Sequence, residues 1–171
     1  MKVLETERLY LREITEDDAE SAYQLNLDED VIKYTGDASF HDIDTARNFI
    51  KNYDHYLKYH FGRWAVIRKN DETFLGWCGL KYTSELDEID IGFRFFKKYW
   101  NKGYATEAAV ACLELGFHKF NMQQIVGRAR KENIASIKVL EKIGLHYWKD
   151  FDFDGEEGVV YKIDRRECVK N

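Results

Sequence analysis

The segment Phe96-Lys97-Lys98-Tyr99-Trp100-Asn101-Lys102-Gly103-Tyr104-Ala105-Thr106-Glu107 constrains the fold more than any other part of this 171-residue chain. Upstream, Glu88 to Phe95 reads as a strand. Downstream, Ala105, Ala109, Cys112, Gly116 and Phe120 recur at helical spacing and predict a helix from Ala105 to Phe120. A strand, a short Lys/Gly loop and a long helix form a place to hold phosphates. The first N–H groups of a helix have no internal partner and carry the positive end of its dipole, so a diphosphate can dock on Asn101 to Thr106. Gly103 lets a ligand approach the backbone, and the lysines add positive charge. An ordinary helix start with solvated lysines is the competing reading.

A second segment, Asn133-Ile134-Ala135-Ser136-Ile137-Lys138-Val139-Leu140-Glu141-Lys142-Ile143-Gly144-Leu145, reads as a short amphipathic helix. Asn133 stands at the N-cap, Ile134, Ile137 and Leu140 form an apolar stripe, and Gly144 suits the C-terminal turn. Together the two segments resemble the acyl-CoA motifs of the GCN5-related N-acetyltransferase (GNAT) superfamily. "YWNKGYATEA", "NIASIKVLEKIGL" and the opening Thr6-Glu7-Arg8-Leu9-Tyr10-Leu11-Arg12 are similar to its RimJ/RimL-like branch of ribosomal-protein N-terminal acetyltransferases. One departure is Trp100, which stands where the superfamily's loop usually begins with Gln or Arg.

The resemblance implies an acetyl-CoA-dependent N-acetyltransferase without a metal, acting by direct attack of a primary amine in a ternary complex. Implied cofactor-binding residues are Phe93, Lys98, Asn101, Lys102, Gly103, Tyr104, Ala105, Thr106, Asn133 and Ser136. Phe93 N–H would receive the thioester oxygen. The Asn133 amide would meet the pantetheine arm, and Ser136 would sit beside the sulfur; alternatively these two residues are helix-start residues only. The rival class is a non-catalytic acyl-CoA-binding regulatory module.

Acetylation turns on the amine. A lysine-like ammonium of pKa about 10.4 is neutral about once in a thousand molecules at neutral pH, roughly 4 kcal/mol uphill, whereas an α-amino group costs about 1 kcal/mol. Glu88, Asp90 and Gly92 alternate on one strand face, with Ile89, Ile91 and Phe93 on the other. The resemblance makes Asp90, which stands where RimJ-like sequences often carry a glutamate, the first candidate base, directly or through water, and Glu88 is the second. The competing reading for both is the solvated face of an edge strand. A lone Gly92 in a strand signals a bulge or a close backbone approach.

Length and composition favour one domain over residues 1–171, with 44% hydrophobic and 15% aromatic residues describing a globular chain. No apolar run approaches the roughly 20 residues of a membrane span, and Met1-Lys2-Val3-Leu4 passes directly into charged residues, so the cytoplasm is expected. Cys78, Cys112 and Cys168 are far apart and support neither a disulfide framework nor zinc; the first two read as core. A net charge of −5 disfavours nucleic acid and favours a cation. Expected partners are a ribosomal or other basic protein N-terminus, or a small cationic amine, with the chain a monomer or homodimer. The acidic clusters Asp28-Glu29-Asp30 and Asp150 to Glu157 would select such a cation, or are solvated loops. Tyr34, Trp64, Trp77 and Trp148 are core residues or acceptor-pocket linings.

The remaining elements follow from periodicity. Arg8 to Ile14 is a first strand, a helix runs from Asp17-Asp18 to Leu25, and Ile43 to His60 carries apolar residues three and four apart as one helix. Trp64 to Arg68, Phe74 to Lys81 and Glu88 to Phe95 form an antiparallel meander. Gln124 to Arg130 is a strand, and Leu145 to Phe153 with Val159 to Asp164 closes the chain as a hairpin around Asp154-Gly155. The element order predicts an α+β or mixed α/β fold, and the resemblance implies a central mixed, mostly antiparallel sheet splayed at the acyl-CoA site, with helices on both faces.

Overall fold

The computed structural model describes residues 1–168. Five strands form an antiparallel meander: β1 (Lys2–Glu5), β2 (Leu9–Arg12), β3 (Arg63–Arg68), β4 (Thr73–Thr83) and β5 (Glu88–Phe95). Helices α1 (Ala19–Leu27), α2 (Glu29–Ile32), α3 (Ile43–Lys51) and α4 (His55–Tyr59) are inserted between β2 and β3. After β5 come α5 (Tyr104–His118), β6 (Gln124–Arg130), α6 (Ile134–Lys142), β7 (His146–Phe153), β8 (Glu156–Asp164) and α7 (Arg165–Cys168). They complete one eight-stranded sheet in the order β1-β2-β3-β4-β5-β6-β8-β7. Among the described residues only β5 and β6 run parallel, because α5 crosses over between them.

Side-chain alternation distributes the helices over two faces. Cys78 on β4 faces α5, its sulfur 3.8 Å from that of Cys112, and the fully buried Leu80, Ile91, Leu113 and Phe117 belong to the same core. Its neighbour Trp77 therefore points to the opposite face, where Arg94 of β5 donates to Asn26 of α1. Burial pushes the Cys112 thiol well up, so this pair behaves as two packed apolar groups, as the core reading of the sequence expects.

Three sequence expectations need correction. The helix from Ile43 to His60 is two helices, interrupted at Asn52-Tyr53-Asp54. Tertiary hydrogen bonds decide this: Tyr53 Oη accepts the Arg63 N–H at 2.9 Å, while Tyr56 Oη donates to the Arg63 carbonyl. The first strand is shorter than Arg8 to Ile14, and an additional strand, Lys2–Glu5, pairs with it. Four residues of mixed polarity carry no periodic signal. Finally, β5 is an interior strand between β4 and β6, so Glu88 and Asp90 do not lie on an edge.

The N-terminal hairpin is fastened to α5 by one carboxylate. Glu107 Oε1 accepts from the Thr6 hydroxyl at 2.6 Å and the Arg8 N–H at 2.9 Å, and Oε2 takes the Arg8 Nε at 2.7 Å. Burial alone would raise this carboxyl, yet the Thr6 and Arg8 bonds outweigh it and hold it below its ordinary 4.5. A depressed carboxylate stabilises the fold fully above the unfolded value and loses that contribution as pH falls through the folded one. Glu107→Gln is expected to cost about 1 kcal/mol at pH 7, with Arg8 half-exposed and its ion pair screened accordingly. The melting-temperature gap between the variant and the parent should close below pH 4.5.

Candidate active site

The site is built where β5 and β6 part. Their ladder consists of one bridge, Asp90 opposite Val126, and beyond it the strands diverge. Phe96 N–H donates to Leu75 O at 3.0 Å, so Arg94, Gly92 and Asp90 direct their N–H groups toward β4 and the intervening Phe93 and Ile91 toward β6. Phe93 N–H therefore stands past the end of the ladder, free and pointing into the gap. An unpaired donor of this kind is what the expected oxyanion role calls for.

A cleft of about 710 Å³ opens at this gap and continues beneath α1 and α3; Phe93, Asn133, Ser136, Tyr34 and Trp77 are among its linings. Asn133 caps α6, its side-chain oxygen accepting the Ser136 N–H at 3.2 Å. Capping occupies the oxygen and leaves the Asn133 NH₂ free to donate. The Ser136 hydroxyl has no partner among the described residues and lines the cleft. Trp64 is a core residue, 1% exposed, and Trp148 lies against Lys149 and Lys162 outside the cleft.

The phosphate loop continues from the open end of the gap. After a short turn at Lys97–Tyr99, Asn101 and Gly103 both adopt left-handed backbone, φ 61° and 80°, and α5 begins at Tyr104. None of the N–H groups of Asn101 through Thr106 donates within the described residues; the first helical bond is from Glu107 N–H to Gly103 O at 3.0 Å. This row of unpaired donors at a helix start fits a diphosphate. Trp100 shows what replaces the usual Gln or Arg: its indole N–H donates to Phe95 O at 2.9 Å and ties the loop to the end of β5. Arg8, given no site role by the sequence, donates to Lys102 O at 2.9 Å and lies over the Tyr104 ring. Lys98 rests against Phe96 and Tyr99, and Lys102 is exposed.

Asp90 and Glu88 are held by arginines. Arg63 Nη2 lies 3.1 Å from both Asp90 oxygens, and its Nη1 donates to Gly79 O at 2.7 Å. Arg128 bonds Glu88 and reaches Asp90 at 3.8 Å. Gly92 explains how this layer fits: a Cβ there would stand 2.6 Å from Arg63 Cζ, so the close approach signalled by the sequence is by a guanidinium, and no bulge interrupts β5. Arg63 and Arg94 lie on the Trp77 ring at 5.4 and 5.2 Å, and Arg94 also pairs with Asp37 at 2.7 Å. Burial pushes the Tyr53 phenol up, which keeps it neutral beneath Arg63. The carboxylates lining the cleft, Asp37 and Asp90, thus each face a guanidinium.

Sequence reasoning missed this arginine layer. Its trace was legible as spacing: Arg128 and Arg130 are two apart on β6, which places both on the acceptor face. The acidic clusters lie elsewhere. Asp28 caps α2, Asp30 pairs with Lys97 at 2.5 Å, and Asp150 lies 3.6 Å from Lys131; none of them lines the cleft. Among the described residues no group of three or more His, Cys, Asp or Glu side chains is gathered as a metal site, and no helix is long and apolar enough to cross a membrane.

Comparison with known proteins matches residues 8–146 to the acetyltransferase (GNAT) domain family. The chain is 34% identical over 141 residues to the uncharacterized N-acetyltransferase YnaD of Bacillus subtilis (strain 168), covering 82% of this chain and 80% of that protein. It is 32% identical over 145 residues to the uncharacterized N-acetyltransferase p20 of Bacillus licheniformis, covering 84% and 82%. The crystal structure of a GNAT-family acetyltransferase from Bacillus anthracis superposes with a TM-score of 0.83 at 30% identity, covering 98% of this chain and all of that one.

The Gly92–Arg63 contact yields a stability test. Gly92→Ala should destabilise the fold by about 1–3 kcal/mol, because the guanidinium must leave its place against Asp90. In an Arg63→Ala background the same substitution should cost well under half as much in denaturant unfolding. Equal costs in both backgrounds would mean that Gly92 is required by something other than Arg63.

Proposed function

The chain belongs to the GNAT acetyltransferase family and is an acetyl-CoA-dependent acetyltransferase, and from that premise we propose that its acceptor is a primary amine of the α-amino kind, attacked directly in a ternary complex. The observation that carries this reading is the free Phe93 N–H in the β5–β6 gap, in line with the unpaired N–H row of Asn101 to Thr106. Acetyl-CoA supplies an activated thioester. Asn101, Lys102, Gly103, Tyr104, Ala105 and Thr106 would hold its diphosphate, with Lys98 near enough in sequence to add charge, and the Asn133 NH₂ would meet the pantetheine arm. In the reaction the N–C bond forms and the C–S bond breaks, and one proton passes from nitrogen to the leaving sulfur or to solvent. Phe93 N–H stabilises the oxygen as it gains charge, and the Ser136 hydroxyl donates toward the sulfur.

The ion pairing inside the cleft bears on the proton. Both oxygens of Asp90 already accept from Arg63, so Asp90 is a positioning residue that fixes the guanidinium and, through it, the acceptor floor. An α-amino group needs little help, since reaching its neutral form costs about 1 kcal/mol at pH 7. The likeness of the motifs to the RimJ/RimL branch supports the same acceptor chemistry, an α-amino group of a protein N-terminus or of a small molecule.

Two measurements test the proposal. Gly103→Val places a branched side chain in left-handed backbone, with its Cβ 3.3 Å from an Arg8 nitrogen and where phosphate oxygens approach. Acetyl-CoA affinity measured by calorimetry should fall at least tenfold, about 1.4 kcal/mol, while unchanged affinity in the folded variant removes the loop from the site. Asp90→Asn should lower turnover by about the same factor at every pH, as loss of positioning predicts. A deficit that shrinks as pH approaches the acceptor's own pKa would instead make Asp90 the base.

A further inference from the structure

Resting on the amine-acetylation reading, we propose that the acceptor carries an oxyanion, a carboxylate or phosphate close to its amine, and that Arg130 binds it. Arg130 ends β6, three residues before the cap of α6, and its carbonyl accepts the Asn133 N–H at 2.9 Å. Its side chain lines the cleft on the same strand face as Arg128. Each of the other arginines there has a carboxylate: Arg63 has Asp90, Arg94 has Asp37 and Arg128 has Glu88. Arg130 has none among the described residues. Its Nε, like that of Arg128, is buried without a hydrogen-bond partner, and its terminal nitrogens, unlike those of Arg128, make no hydrogen bond or ion pair among the described residues.

A part-buried guanidinium with neither a carboxylate nor a hydrogen-bond partner carries a desolvation cost that an oxyanion on its terminal nitrogens would offset. The fork of N–H donors matches a carboxylate or phosphate in two-point contact, which selects geometry as well as charge. Lys81, also lining the cleft, has no ion pair among the described residues and adds a second uncompensated positive charge. The cleft is therefore net positive in a chain of net charge −5, the reverse of a site for a polycation. The anions of acetyl-CoA do not account for Arg130. Their loop, Asn101 to Thr106, contributes no residue to the cleft, and the thioester end of that molecule is neutral. The free guanidinium is left for the acceptor.

The test uses matched primary amines that differ in the oxyanion: glycine against glycinamide, and phosphoethanolamine against ethanolamine, with spermidine and a neutral tripeptide alongside. Turnover is read as thiol release, with kcat/KM expressed per neutral amine, and binding to the CoA-loaded protein is read by calorimetry. At least one anionic member should exceed its neutral partner tenfold or more, and the pair that shows it distinguishes carboxylate from phosphate. Arg130→Gln should cut that ratio at least tenfold, and Arg130→Lys should restore part of it by returning the charge without the fork. Spermidine, ethanolamine or the tripeptide used as well as the anionic amines would overturn the inference while leaving acetyl transfer standing. So would a ratio that survives Arg130→Gln in a protein melting like the parent. Should Arg130→Gln not fold, the parent-to-Arg130→Lys ratio decides. Failure to bind acetyl-CoA would sink the proposed function instead, and calorimetry of the anionic and neutral amines on the unloaded protein would still decide for or against Arg130.

Discussion

The parting of β5 from β6 after a single bridge is the constraint on which the site depends. A parallel pair normally continues until one strand ends, because every unpaired N–H in a sheet interior is a lost hydrogen bond. Here β5 runs on to Phe95 and β6 to Arg130, yet the ladder stops at Asp90 and Val126. The opening is pinned at its closed end by Arg128, which spans from β6 to Glu88 and Asp90 on β5. At the open end Arg94 leans toward α1 and Asp37, and Trp100 holds the phosphate loop against the Phe95 carbonyl. The unpaired backbone of the gap is thus kept in place by side chains on either side of it, and a ligand's polar arm can take the positions a neighbouring strand would otherwise fill.

The same arrangement explains why a cleft rich in arginine is tolerable. Burying a guanidinium is expensive unless a carboxylate and further acceptors accompany it. Arg63 has Asp90, two backbone carbonyls and the Trp77 face; Arg128 has two carboxylates and the Phe151 ring. Such pairs contribute little net stability in most proteins, but they fix geometry, and removing one partner strands the other. Glu88 and Asp90 are thus each held by an arginine, and of the two Asp90 lines the cleft.

Much of this was legible in the sequence. Gly103 ahead of Ala105, Ala109 and Cys112 announced a helix start with free donors, and Asn133 before Ile134 and Ile137 announced a capped second helix. Both signals are local, and local hydrogen-bonding needs are what residue type reports. The alternation of Glu88, Asp90 and Gly92 correctly placed them on one face. What it could not report was the occupant of that face, because Arg63 arrives from a strand 25 residues upstream. The break at Tyr53 escaped for the same reason: its phenol is needed at Arg63, and a tertiary hydrogen bond overrode a helical pattern. The acidic loops left two readings open because a charge run records solvation as readily as recognition; in the structure Asp28 serves as a helix cap and Asp30 in a surface ion pair, as the solvated-loop reading expects.

A dication or a lysine side chain would enter a net positive cleft against its field, and would then have to give up a proton where the carboxylates lining the cleft are bound to guanidinium. An α-amino group avoids the second difficulty because it is neutral in a useful fraction of molecules near pH 7. A nearby oxyanion removes the first, since it makes the approaching molecule neutral or negative overall and gives Arg130 the partner that its neighbours on the sheet already have. In the proposed complex the two requirements fall on different ends of the acceptor, with the nitrogen in the β5–β6 gap and the oxyanion at the end of β6. Their separation is set by the two strands themselves, so the scaffold that exposes Phe93 N–H also fixes how far from the amine an anion can stand.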